Sequence, residues 1–148
     1  ILNVSDMAAS FAWFQSLGWR KLWDWGEPPT FGAVGCGNAE IFLCLDGQGG
    51  RGPGSNTKTF GEEGGQTADR GCWMSVWVDD VDAAHNLAIE QDIEVMMPPT
   101  DMPWNARECT IADPDGYHLT FTAPINIGRA FDEVIAKAAQ AEVERAGS

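Results

Sequence analysis

The sequence predicts an α+β fold: tandem β-α-β-β-β modules forming a curved mixed sheet, plus a C-terminal helix. Three observations predict it. Short strand-like runs with period-two alternation are separated by turn residues, and each half holds one helical stretch. The halves also match in order. Val4-Ser5-Asp6-Met7 falls on Val78-Asp79-Asp80-Val81, and residues 37–43 fall on 115–121, an internal duplication. Finally, the tail turns Ala- and Glu-rich, with Phe131, Val134, Ile135, Ala138, Ala141 and Val143 suggesting an amphipathic helix.

Residues 1–45 make the first module. Residues 1–4 read as the end of a strand. Ser5 or Asp6 caps a helix to about residue 17, in which Met7, Phe11, Phe14 and Leu17 recur at helical spacing. Gly18 stops it. Residues 19–25 form the next strand, ended by Gly26 and Pro28-Pro29; 30–36 and 39–45 follow, with a turn at Gly37-Asn38. Residues 46–70 are glycine-rich and without periodicity, too long for an ordinary loop. They read as a linker, either lying over a binding site or disordered.

The second module spans 71–124. Residues 73–78 alternate as a strand, and Asp79 or Asp80 caps a helix that carries Val81, Ala84, Leu87 and Ala88 and ends near Gln91. A strand at 93–97 is broken by Pro98-Pro99. Another runs over 108–112, Asp113-Pro114-Asp115-Gly116 makes a turn, and residues 117–123 close the unit. Residues 125–148 are the helical tail, docked on its own domain or on a second subunit.

The charge is strongly acidic, with 9 Lys+Arg against 22 Asp+Glu and a formal net charge of −13. This argues against nucleic acid and anionic membrane surfaces, favours cationic small molecules, and serves solubility. No run approaches the ~20 apolar residues of a membrane span. No secretory signal is visible. Cys36, Cys44, Cys72 and Cys109 are scattered without a C-x-x-C pair. That pattern fits buried free thiols in a reducing cytoplasm better than a zinc site.

Alternation divides the strands into two faces. Ile41, Leu43, Leu45, Met74, Val76, Val78, Tyr117, Leu119 and Phe121 lie on the core side. The other side carries Glu40, Phe42 and Cys44, then Trp73, Ser75 and Trp77, then His118, Thr120 and Thr122. Two indoles flanking a hydroxyl make either a pocket wall for a flat molecule or packing against a dimer partner or the tail helix. Trp104, after Pro103 in a loop, caps core or covers a ligand. His118 reads as a polar wall residue rather than a base. Glu40 receives a ligand cation or is merely exposed. Arg107-Glu108 fixes the loop or a dimer contact.

The ordered set Val4-Ser5-Asp6-Met7, Val78-Asp79-Asp80-Val81-Asp82-Ala83, Pro103-Trp104, Arg107-Glu108 and Asp113-Pro114-Asp115-Gly116-Tyr117 resembles the vicinal-oxygen-chelate superfamily over residues 1–123. That group includes glyoxalase I, extradiol dioxygenases, fosfomycin-resistance enzymes and bleomycin-resistance proteins. The resemblance implies a divalent metal on the concave sheet face, held by His and Glu, two positions from each module. Three of those positions fall on Phe42, Trp73 and Thr120; the fourth lies before Ile1. Indole and phenyl donate no ligand, and a lone threonine hydroxyl is a poor one. The expectation is therefore no metal and no cofactor.

The pattern is most similar to the bleomycin-resistance branch, which implies an acidic, non-enzymatic homodimer sequestering a cationic glycopeptide antibiotic between subunits. Asn105 departs from the glycine usual in that branch, and the tail is longer. The expected protein is cytoplasmic and metal-free, has no catalytic residue, and confers antibiotic resistance by sequestration. Its ligand is cationic or planar, bound by Trp73, Trp77, Phe42, Trp104, Ser75, Thr120, His118 and Glu40. One alternative is a metal-dependent lyase or dioxygenase of the same superfamily, with only His118 and Glu40 as candidate ligands on that face. Another is an interaction module whose aromatic face is the dimer seam.

Overall fold

Both modules begin with a strand that feeds directly into a capped helix. In the computed structural model, which describes residues 1–45, 73–128 and 131–147, β1 (Leu2–Val4) leads to α1 (Met7–Ser16) and β5 (Trp73–Trp77) leads to α2 (Val81–Glu90). Asp6 and Asp80 are the N-caps. Both are extended, and their carboxylates accept the Ala9 and Ala83 N–H at 2.9 and 3.0 Å. Gly18, at φ +84°, turns the chain away from α1 into β2 (Arg20–Trp25).

β3 (Phe31–Cys36) and β4 (Ala39–Leu45) complete the first sheet, in the order β1-β4-β3-β2 with β1 parallel to β4. The second sheet repeats this order as β5-β8-β7-β6, with β6 (Val95–Met102), β7 (Ala106–Ala112) and β8 (His118–Pro124). The fold is thus two four-stranded mixed sheets, each carrying one helix.

Two strands depart by two residues or more from the sequence reading. β6 runs through Pro98 and Pro99 instead of stopping before them. It is the edge strand, so two missing N–H groups cost little, and a register shift between Met97 and Thr100 absorbs the prolines. β7 starts at Ala106, two residues earlier than expected, extending its pairing with Pro124. The 46–70 linker lies outside the described residues. Of the cysteines, Cys44 and Cys109 are buried free thiols, as expected, and burial pushes the Cys109 thiol up to about 11. Cys36 is exposed, because it ends β3 beside the Gly37 turn.

The helix-covered faces share one core that runs from Leu2, Phe14 and Leu43 to Ile111, Tyr117 and Leu119. Hydrogen bonds at two places among the described residues tie the modules together. Tyr117 Oη donates to the Asn3 carbonyl at 2.8 Å, and Ser5 donates through Oγ (2.5 Å) and N (3.2 Å) to the Asp115 carboxylate. Buried Asp113 shapes the turn that presents both partners by accepting the N–H groups of Asp115 (2.9 Å) and Tyr117 (2.8 Å). Burial raises its carboxyl to about 6 against those bonds. The tail forms α3 (Phe131–Ala146), whose described side chains, Ile135 and Val143 included, are exposed. Among the described residues no helix is long and apolar enough to cross a membrane.

Candidate functional site

Register places three aromatic side chains together on the helix-free face of the first sheet. Trp23 stands opposite Ala33, which stands opposite Phe42; the next row is Trp25, Phe31 and Cys44. Ala33 is small and fully buried, so the flanking rings close over it. Ring centroids lie 5.5 Å apart for Trp23–Phe31, 5.7 Å for Trp23–Phe42 and 5.9 Å for Phe31–Phe42, tilted by 53–62°. These are contact geometries for aromatic pairs. The rings touch one another, which leaves no space for a cation among them. They form a wall, with Trp23 39% and Phe42 36% exposed.

The helix-free face of the second sheet is built of hydroxyls. One row reads Ser75, Thr120, Thr110, Met97; the next reads Trp77, Thr122, Glu108, Thr100. Thr110 and Thr120 hydroxyls are 2.7 Å apart, and Thr120 is buried. Trp77 is 73% exposed at the end of β5. Trp104 comes over this face from the β6–β7 loop, its Nε1 donating to Glu108 Oε1 at 2.9 Å.

That loop explains Asn105. Its φ is +64°, a left-handed conformation that glycine favours and asparagine tolerates. Asparagine also adds bonds that glycine lacks: Nδ2 donates to the Asn126 carbonyl at 2.7 Å and Oδ1 accepts the Asn126 N–H at 3.2 Å. Arg107, one residue before Glu108, points to the helix side. It binds Asp82 through Nε (2.7 Å) and Nη2 (2.8 Å), and Asp101 through Nη1 (2.7 Å). These bonds hold the Asp82 carboxyl below its ordinary value and raise the guanidinium. Arg107 thus fastens α2 to the β6–β7 edge, while Glu108 faces the opposite way.

The other sequence-predicted site residues divide as follows. Glu40 is exposed on β4 and, with Phe42, Ile1, Leu2, Ile41 and Met74, lines a cavity of about 300 Å³ near the start of β1. His118 is half-buried at the start of β8, its backbone paired with that of Trp73. Ser75 is exposed, one row from Trp77. Phe42 gains Trp23 and Phe31 as neighbours, both missed in the sequence. The alternation of Trp23-Asp24-Trp25 was the available signal, but a register shift between Lys21 and Trp23 hides which face it serves.

The superfamily's metal positions can be tested on their surroundings. Phe42 is packed into the aromatic wall, and the Thr120 hydroxyl is buried against Thr110. Among the described residues no three His, Cys, Asp or Glu side chains converge as a ligand set. The donors present do not fit such a metal, and no chemical step is derived through one.

A family model described as Glyoxalase/Bleomycin resistance protein/Dioxygenase superfamily matches residues 1–121. No curated protein matches the chain. Among solved structures, TioX from Micromonospora sp. ML1 is 18% identical with a TM-score of 0.63, over 83% of this chain and 94% of that one. TnmS3, an antibiotic binding protein from Streptomyces sp. CB03234, is 24% identical with a TM-score of 0.61, over 83% and 90%. A superfamily member from Sphaerobacter thermophilus is 25% identical with a TM-score of 0.56, over 82% and 90%. With the family model spanning both modules and the same strand order in each, the chain belongs to the glyoxalase/bleomycin resistance protein/dioxygenase superfamily.

Proposed function

We propose that this protein binds and sequesters a planar aromatic small molecule of the antibiotic type, without metal and without catalysis, as a cytoplasmic homodimer that confers resistance. The wall of Trp23, Phe31 and Phe42 carries the reading. A half-exposed aromatic surface on the face left open by the helix is a stacking surface for a flat ligand. The accessible hydroxyls of Ser75 and Thr110 supply the few polar contacts that orient it. Support comes also from a fold shared with the antibiotic binding protein TnmS3. The net charge of −13 attracts cationic ligands and speeds their capture. Exposed Trp25 and Trp77, at 71% and 73%, favour a second copy that closes the site.

The test is tryptophan fluorescence during titration with metal-free bleomycin and with planar acridines, chelator present throughout. Saturable quenching near one ligand per subunit is expected, weakened at least tenfold by Phe42→Ala. Absence of saturation with every one of these ligands overturns the reading.

A further inference from the structure

Glu108 uses one carboxylate oxygen to hold Trp104, and among the described residues its other oxygen takes no hydrogen bond. It shares a row with Trp77 and Thr122 across β7, β8 and β5. Two strand spacings of about 4.8 Å put Trp77 and Glu108 roughly 10 Å apart. Backbone register thus sets Glu108 and Trp77 on either side of Thr122, whose side chain is buried. The two indoles remain open to solvent, Trp104 at 42% and Trp77 at 73%.

Resting on the binding function proposed above, we infer that Glu108 is a specificity-determining residue that selects planar heteroaromatic ligands carrying a protonated nitrogen at their edge. One oxygen fixes Trp104 as a stacking surface. The other accepts the ligand N–H⁺ beside the stacked ring, a charge-assisted bond about twice as strong as a neutral one. The neighbouring carboxylates do not compete, because Asp82 and Asp101 are bound to Arg107 on the opposite face.

The probes are 9-aminoacridine, a planar cation, and acridone, its neutral counterpart, titrated by fluorescence into wild type, Glu108→Gln and Glu108→Leu. Wild type binds the cation at least tenfold tighter. Glu108→Gln keeps an acceptor for the indole, so acridone binding is unchanged while the preference falls below threefold. Glu108→Leu weakens both probes and moves the Trp104 indole N–H resonance of the free protein, which Glu108→Gln leaves in place. Glu108→Gln changes the net charge only from −13 to −12, so a preference that survives it belongs to the general field and overturns the inference. An indole resonance unmoved in Glu108→Leu overturns it as well, whatever binds. If wild type binds neither probe, the inference and the acridine arm of the proposed function fail together.

Discussion

α1 buries Met7, Phe11 and Phe14 against the first sheet, three large side chains, whereas α2 buries only Val81 and Ala88 against the second. The open faces diverge the same way. The first carries packed aromatic rings; the second carries a ladder of hydroxyls with one pinned indole. Yet the caps, strand order and parallel β1–β4 and β5–β8 pairings are the same. The skeleton depends on local cap chemistry and backbone pairing, which tolerate many side chains. The two faces are thereby free to differ, one lined with aromatic rings and one with hydroxyls.

The largest effect that tests this contrast is on the bulky side. Phe11 reaches the first sheet only because Gly32 has no side chain. A Cβ there would meet Phe11 Cζ at 2.6 Å and the Trp23 carbonyl oxygen at 2.8 Å. The ring can shift, but the backbone oxygen cannot. Gly32→Ala is expected to cost about 2–3 kcal/mol in urea unfolding, at the upper end for overpacking. Adding Phe11→Leu should restore less than half, since the carbonyl clash stays. A loss under about 0.5 kcal/mol for Gly32→Ala would mean the first module is not the tightly seated one.

The second module, poorer in large helix contacts, relies on a polar turn. Asp113 has a folded value of about 6 against 3.8 for the free side chain. Between those values the folded state holds the extra proton, so stability falls as pH rises through this window and the penalty is complete above 6. Asp113→Asn keeps an oxygen for both N–H groups without the charge. On lowering the pH from 7.5 to 4.5, wild type should gain on the order of 1–2 kcal/mol relative to the variant. Parallel pH profiles of the two proteins would remove Asp113 as the source.

What the sequence disclosed follows the range of the forces involved. Each cap was readable to within two neighbours, Ser5 or Asp6 and Asp79 or Asp80, because a capping side chain answers an N–H only two or three residues away; the structure selects Asp6 and Asp80. β4, bounded by the Gly37-Asn38 turn, lies where alternation put it, and alternation also set Phe42, Ser75, Trp77 and Thr120 on the open faces. Pro98-Pro99 misled, because whether a proline breaks a strand depends on whether that strand is at the edge, and strand order is not local. The aromatic wall escaped for a related reason. Trp23 meets Phe31 and Phe42 only through the register of two strand pairs, one of them shifted. The Trp104–Glu108 bond depends on a loop bent by the left-handed Asn105.

The smallest predicted effect concerns how far the contrast can go before the halves separate. Tyr117 and Asn3 are 1% and 6% exposed, and the bond between the Tyr117 hydroxyl and the Asn3 carbonyl is a buried tie between modules that share one core. Tyr117→Phe removes that buried bond, at a cost of about 1 kcal/mol. The informative quantity is cooperativity. If the tie couples the halves, urea transitions followed by tryptophan fluorescence and by far-UV circular dichroism coincide in wild type, and Tyr117→Phe lowers the midpoint with an unchanged slope. A reduced slope with separated transitions would show that the shared core does not bind the modules into one unit. Their open faces would then be positioned by a second copy rather than by their own chain.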